Sequence, residues 1–322
     1  MNSTVAYLYP GQSLQRVGMG LDLYQHHALI RDFFKRADDA LGFELSRICF
    51  EGPEDLLNQD LNCQLAIYVH GCAVTELLKS QGCVPALLSG YSSGFYGAAY
   101  GAGCYDFLDG LEIVRQASAC LLSVGARLDG AMGVVFGLSA KAVQSLCDAQ
   151  GDVQPAIYNT PRQIIVSGLR EQVRAVIDGA MANEALDGYL LPAATAYHSK
   201  FMTPAGDALL SAIDVGKLKA PKAPLISYAT LEPVTDAHDL ARVLAAQLSG
   251  PVRWAELVGQ VSRRGIRRAL EVGPGKVISR AVRWIDRSIQ VLPTDDHASL
   301  EAAIKGSAGP SKQRGMAVHS EK

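Results

Sequence analysis

The chain has 322 residues, 30 basic and 32 acidic side chains and a formal net charge of −2. That length can bury a large core, and the charge balance argues against a nucleic-acid protein or a polybasic membrane binder. Seven cysteines lie scattered without Cys-x-x-Cys or Cys/His spacing, no apolar run reaches membrane-spanning length, and the amino terminus lacks the basic start and apolar segment of a signal peptide. A cytoplasmic protein with reduced core cysteines and no metal is expected.

In chain order, Val5-Ala6-Tyr7-Leu8-Tyr9 reads as a strand ended by the turn Pro10-Gly11-Gln12-Ser13. Leu21 to Leu41 has helical spacing of apolar residues, with His26 and His27 read as solvated helix positions. Gly52-Pro53-Glu54-Asp55 looks like a helix start, and 62–80 like a buried helix. Val84-Pro85-Ala86-Leu87-Leu88 reads as a strand running into Ser89-Gly90-Tyr91-Ser92-Ser93-Gly94. The stretch from Phe95 to Gly103 is a small-residue helix suited to lying against a sheet.

The rhythm changes at Gly130. Strands at 131–136, 155–159, 163–168 and 188–192 alternate with helices at 140–149 and 170–182 in the order strand, helix, strand, strand, helix, strand, which is that of a ferredoxin-like module. The expected architecture is therefore a large α/β domain from 1–128 and 197–304, with a parallel sheet, carrying a small α+β subdomain at 129–196. Later elements are a strand at Pro224 to Tyr228, helices at His238 to Leu248 and Val252 to Ser262, a strand at Arg268 to Val272 and a Gly-Pro-Gly turn at 273–275. From Lys305 the Gly-, Ser- and Lys-rich tail is expected to be disordered.

Gly90-x-Ser92-x-Gly94 after an apolar strand is the pattern of a nucleophile held at a sharp strand-to-helix turn, where a Cβ at either glycine would meet neighbouring backbone. A serine hydroxyl needs a base. His198 stands where the inserted module returns to the large domain, a position from which a side chain can face the cleft.

At these residues the sequence resembles the malonyl-CoA:acyl-carrier-protein transacylase family of fatty-acid and polyketide synthesis. Pro10-Gly11-Gln12, Gly90-Tyr91-Ser92-Ser93-Gly94, Asn159-Thr160-Pro161-Arg162-Gln163, His198-Ser199-Lys200-Phe201-Met202, Gln247-Leu248-Ser249-Gly250-Pro251-Val252-Arg253-Trp254 and Glu271-Val272-Gly273-Pro274-Gly275-Lys276 resemble its motifs in the same order. The resemblance implies an α/β-hydrolase-like fold and a Ser92–His198 dyad. It also implies an oxyanion site from the backbone amides of Gln12 and Ser93, and a carbonyl of Gln247 orienting the histidine. An acyl group would pass from acyl-CoA, or from acyl carried on a carrier protein, through acyl-Ser92 to the phosphopantetheine thiol of an acyl carrier protein, with no further cofactor. Tyr91, Gln64, Asn159, Gln116 and Ala117 are the residues this reading assigns to the substrate pocket.

The chain departs from the family where malonyl-selective members place arginine in Leu-Val-x-x-Arg-Gly. The segment here is Ile113-Val114-Arg115-Gln116-Ala117-Ser118, with Ala117 at that position, or Gln116 with a one-residue slip. Arg115 is turned about 100 to 200° away on a helix. Unless Arg115 or another basic residue compensates, an uncharged acyl chain is expected. Tyr91 and Phe95, where the family has histidine and often glutamate, would add aromatic surface beside Ser92. A thioester hydrolase clearing stalled carrier proteins would use the same residues; a non-catalytic scaffold would not need them.

Overall fold

Strand β1 (Val5–Tyr9) is buried at every residue because it is an inner strand with neighbours on both sides. The structure, a computed structural model, describes residues 5–307. Helices α1 (Leu21–His26), α2 (Ala28–Leu41), α3 (Leu45–Glu51) and α4 (Glu54–Leu57) lead to the long α5 (Asp60–Ser80). Strand β2 (Leu87–Gly90) and helices α6 (Gly94–Gly101) and α7 (Phe107–Gly125) follow. Residues 130–190 supply β3 (Gly130–Phe136), α8 (Ala140–Gln150), β4 (Val153–Thr160), β5 (Gln163–Leu169), α9 (Arg170–Ala182) and β6 (Asp187–Leu190). The chain closes with α10 (Thr203–Ala212), α11 (Ala237–Ala246), α12 (Trp254–Arg263), β7 (Arg268–Glu271), α13 (Val277–Ile285), β8 (Gln290–Pro293) and α14 (His297–Ser307).

The first sheet runs β2-β1-β7-β8 with every pair parallel, as expected for an α/β layer architecture. Helix α6 lies close against it because its glycines leave room for Tyr9. A Cβ on Gly101 would stand 2.3 Å from the Tyr9 hydroxyl, and one on Gly97 would stand 2.8 Å from its ring. That hydroxyl reaches Thr75 of α5 at 2.8 Å, joining the helices on that face.

The second sheet, β4-β5-β3-β6, is antiparallel throughout, and its strand and helix order is the ferredoxin-like one. Alternation along β3 divides its side chains between two cores. Ala131 and Val135 pack with Val143 and Val173 of the covering helices, while Met132 and Val134 face the large core. Backbone bonds from Tyr158 to Val252 and from Val252 to Ala156, both 2.8 Å, tie β4 to the large domain.

Three expectations are corrected. Pro224 to Tyr228 forms no strand: Leu225 makes a single bridge to Leu88, and the chain then doubles back, with Ile226 bridging Pro233 and Ser227 bonding Glu232. Lys305 to Ser307, expected in a disordered tail, complete α14, where Leu300 and Ala303 are buried; the remainder of that tail lies outside the described residues. His26 and His27 are not simply solvated. His26 stacks on His297 with ring centroids 4.5 Å apart, and His27 Nε2 is 3.0 Å from His297 Nδ1.

Candidate active site

The end of β2 and the start of α6 leave no space for side chains at the flanking glycines. A Cβ at Gly90 would lie 2.2 Å from backbone atoms of Gly94 and Phe95, and one at Gly94 would lie 2.3 Å from the Tyr9 carbonyl. Ser92, at the apex, has φ 51°, a left-handed conformation that costs about 1–3 kcal/mol and persists because the surrounding backbone enforces it. Its Oγ is 2.7 Å from His198 Nε2. His198 also has a positive φ, 57°, and is 7% exposed.

His198 Nδ1 is 2.9 Å from the carbonyl of Gly250. A carbonyl only accepts, so Nδ1 carries the proton and Nε2 presents its lone pair to Ser92. This corrects the expectation for Gln247, whose carbonyl lies near the imidazole but is the lesser partner. Helix α11 ends at Ala246, and the turn closed by Gly250 N–H on the Ala246 carbonyl, at 2.8 Å, brings the Gly250 peptide back toward the ring. Burial holds the imidazole pKa down to about 4, with the two carbonyls acting in the opposite sense.

The Gln12 N–H donates to Ser93 Oγ at 3.0 Å, which brings the loop after β1 against the turn. The Ser93 amide opens α6, and first-turn amides have no intrahelical acceptor. Asp60, which belongs to no recognisable motif, joins two parts of the site. Its Oδ1 accepts from Gln12 Nε2 at 2.6 Å, and its Oδ2 accepts from the hydroxyl of Tyr197, the residue before His198.

These residues open on a cleft of about 390 Å³ at the carboxyl ends of β1 and β2. Leu121 of α7, Met132, Ile157 and Ile165 of the second sheet, Leu191 and Trp254 form much of its apolar wall. Gln12, Gln64, Tyr91, Ser92, Ser93, Asn159, His198 and Gln247 all line it. The Tyr91 hydroxyl donates to Asn159 Oδ1 at 2.6 Å, spanning the large and small domains. The Gln247 side-chain amide and the Tyr96 hydroxyl lie beside each other, buried and without a well-formed bond.

Gln116 and Ala117, expected in the pocket, are outside it. Ala117 is fully buried on the core side of α7, and Gln116 donates to Glu112 at 2.8 Å. Arg115 is turned away, as its helical position predicts, and makes a pair of 2.7 Å bonds to Glu112 at the surface. Leu121, one turn beyond Ala117, is the α7 residue that reaches the cleft. Among the described residues, no Lys, Arg, Asp or Glu lines it. Phe95 is buried against Tyr228 and does not line the cleft either; of the two aromatic departures only Tyr91 does.

Sequence reasoning also missed the wall formed by Val277, Ile278 and Ala281 of α13. The apolar spacing of Val277, Ile278, Ala281, Val282 and Ile285 carried a helical signal that could have found it.

Residues 6–308 match the acyl transferase domain family. A malonyl CoA-acyl carrier protein transacylase of Bacillus subtilis is 32% identical over 307 residues, covering 94% of this chain and 97% of that protein. The solved malonyl-CoA:acyl carrier protein transacylase of Xanthomonas oryzae superposes with a TM-score of 0.91 at 30% identity, covering 95% and 99% of the two chains. A malonyl-transacylase solved in complex with its type II polyketide acyl-carrier protein gives 0.90 at 29% identity, covering 94% and 99%. Matched over nearly its whole length, and with a serine and histidine in hydrogen-bond contact at a strand-to-helix turn, the chain belongs to the acyl transferase domain family.

Proposed function

We propose that this protein transfers an uncharged acyl group from a thioester, such as acyl-CoA, through an ester on Ser92 to the phosphopantetheine thiol of an acyl carrier protein. The observation that carries the reading is a Ser92 Oγ 2.7 Å from an imidazole with a carbonyl behind it, in a cleft that no cation among the described residues lines. His198 Nε2 takes the Ser92 proton as Oγ adds to the thioester carbonyl. The amides of Gln12 and Ser93 stabilise the oxyanion, the Gln12 amide turning from Ser93 Oγ to do so. Collapse breaks the C–S bond, and the imidazolium returns the proton to the departing sulfur. The carrier thiol then repeats the sequence in reverse on the acyl-Ser92 ester, restoring the Ser92 hydroxyl.

An acyl carboxylate would enter this cleft unpaired, a cost of about 3 kcal/mol or more and thus roughly a hundredfold in rate. Intact-mass measurement after incubation with malonyl-, acetyl- and longer acyl-CoA tests this. Uncharged acyl groups should load faster than malonyl, and Ser92→Ala should carry no adduct; efficient malonyl loading would overturn the specificity, and an adduct persisting in Ser92→Ala would overturn the dyad. Adding holo carrier protein should move the acyl group onto its thiol, whereas release as free acid would mark a thioester hydrolase instead.

A further inference from the structure

Ser93, next to the nucleophile, carries a hydroxyl to which the mechanism above gives no part. It is the N-cap of α6, it lines the cleft, and its Oγ accepts from the Gln12 N–H at 3.0 Å. A serine hydroxyl also has one proton to give, and among the described residues that of Ser93 goes to no acceptor. The amide it meets is firmly placed. Gln12 Nε2 is held by Asp60 Oδ1 at 2.6 Å, and Gly11 lies so close to the nucleophile turn that a Cβ there would stand 2.3 Å from the Tyr91 carbonyl. Ser93 Oγ therefore marks the place at which the Gln12 amide aims. An oxyanion using this amide must take that same place, about 2.7–3.1 Å from its donor, and Ser93 Oγ must vacate it. One step between staggered χ1 rotamers carries a serine oxygen about 2.3 Å, and an O–H···O⁻ bond spans about 2.5–2.7 Å. The displaced hydroxyl thus ends close to one short hydrogen bond from the position it gave up, with its proton free.

We infer that the Ser93 hydroxyl is a catalytic third donor of the oxyanion site, beside the amides of Gln12 and Ser93, a conclusion that rests on the transfer reading above. The oxyanion turns this hydroxyl from acceptor into donor. The interaction is a hydrogen bond, and no proton changes owner at Ser93: the Ser92 proton still passes to His198 Nε2, while two N–H groups and one O–H share the negative charge. In the resting protein the same hydroxyl satisfies the Gln12 amide, which would otherwise face a largely apolar cleft unpaired. Both half-reactions pass through a tetrahedral oxyanion, so the hydroxyl acts in each.

The test separates the hydroxyl from the backbone amide of the same residue. Ser93→Ala keeps the amide and removes the hydroxyl; Ser93→Thr keeps both. Single-turnover acylation by acetyl-CoA, followed by intact mass, gives a limiting rate and a half-saturating concentration for each protein. Ser93→Ala should acylate Ser92 about a hundredfold more slowly at saturating donor, with the half-saturating concentration unchanged, and Ser93→Thr should recover most of the rate. A trifluoromethyl ketone analogue of the thioester, to which Ser92 Oγ adds to form a hemiketal oxyanion, should bind Ser93→Ala more weakly by a similar factor. Acylation of Ser93→Ala as fast as the parent, or faster, would show that the hydroxyl only covers the Gln12 amide and would overturn the third donor while leaving the transfer reading intact. A slow Ser93→Ala that binds the ketone as tightly as the parent would overturn it too, because the loss would then lie outside the oxyanion. No acyl adduct on the wild-type protein would overturn the transfer reading itself, and the third donor with it.

Discussion

His198 combines a short contact to Ser92 with a neutral resting state. Its burial outweighs the carbonyls behind it and lowers its pKa to about 4, so the free protein holds the base unprotonated across the neutral range. Acylation by a donor with no ionising group should therefore be flat from neutral pH to about one unit above that value, and kcat/KM should fall through an apparent pKa near 4. An apparent pKa near the ordinary histidine value of 6.5 would show that solvent reaches the ring and that the base is not buried as described. Ser92 and His198 were legible because their settings are local: glycines flanking one, a return between domains preceding the other. The Gly250 carbonyl was not, because every residue has one and only the turn after α11 decides which points at the ring. Asp60 was hidden for a related reason, since its partners Gln12 and Tyr197 are distant in sequence and meet only through the fold.

At the scale of elements, the β2–turn–α6 unit depends on backbone contact that a methyl group would prevent. Gly94→Ala would drive its Cβ to 2.3 Å from the Tyr9 carbonyl and 2.5 Å from that of Pro10, neither of which can move without shifting β1. Urea melts should show a loss of about 3 kcal/mol or more together with loss of Ser92 acylation. Gly82→Ala, at φ +74° but with open space around it, should cost only about 1 kcal/mol and leave acylation unchanged. Equal losses in the two variants would mean that the backbone around Gly94 yields to the added methyl group and that the close approach is not what the turn requires. Strands β1, β2 and β7 and the strand–helix order of the second sheet were readable because buried parallel strands are continuous apolar runs and the module repeats a known order, whereas the edge strand β8 went unread. Pro224 to Tyr228 has the same apolar character, but its chain reverses at once, and pairing partners are not written in composition. Helix α13 escaped notice behind the Gly-Pro-Gly turn, although Val277, Ile278 and Ala281 supply a wall of the cleft.

Across the whole molecule, the loops that shape the cleft rest on a second buried histidine. His70 of α5 is 1% exposed, its ring lies under Gly20 and beside Phe34, and both of its nitrogens lack partners among the described residues. Nearby, Asp295 accepts from Arg16 at 2.7 Å and from the Gly275 amide at 2.8 Å, linking the loop after β1 to the Gly-Pro-Gly turn. Burial lowers the His70 pKa from 6.5 to about 4. The unfolded chain therefore takes up this proton first as the medium is acidified, so stability is unaffected above about pH 6.5 and is lost progressively down to about pH 4. The shift corresponds to about 3 kcal/mol for His70, and His198 adds a loss of the same sign in the same window. Buried Glu271, whose pKa is raised, works the other way: its contribution is present at low pH and is lost as the pH rises through its folded value. Because these terms overlap, the informative quantity is the difference between proteins. His70→Leu should flatten the pH dependence of unfolding free energy between pH 6.5 and 4 by close to one proton, measured by urea melts at half-unit steps, while leaving the slope above pH 7 unchanged. A variant as acid-sensitive as the parent would mean that His70 is already protonated in the fold, paired with Asp295, and that the loops around the cleft are held by charge and not by apolar packing.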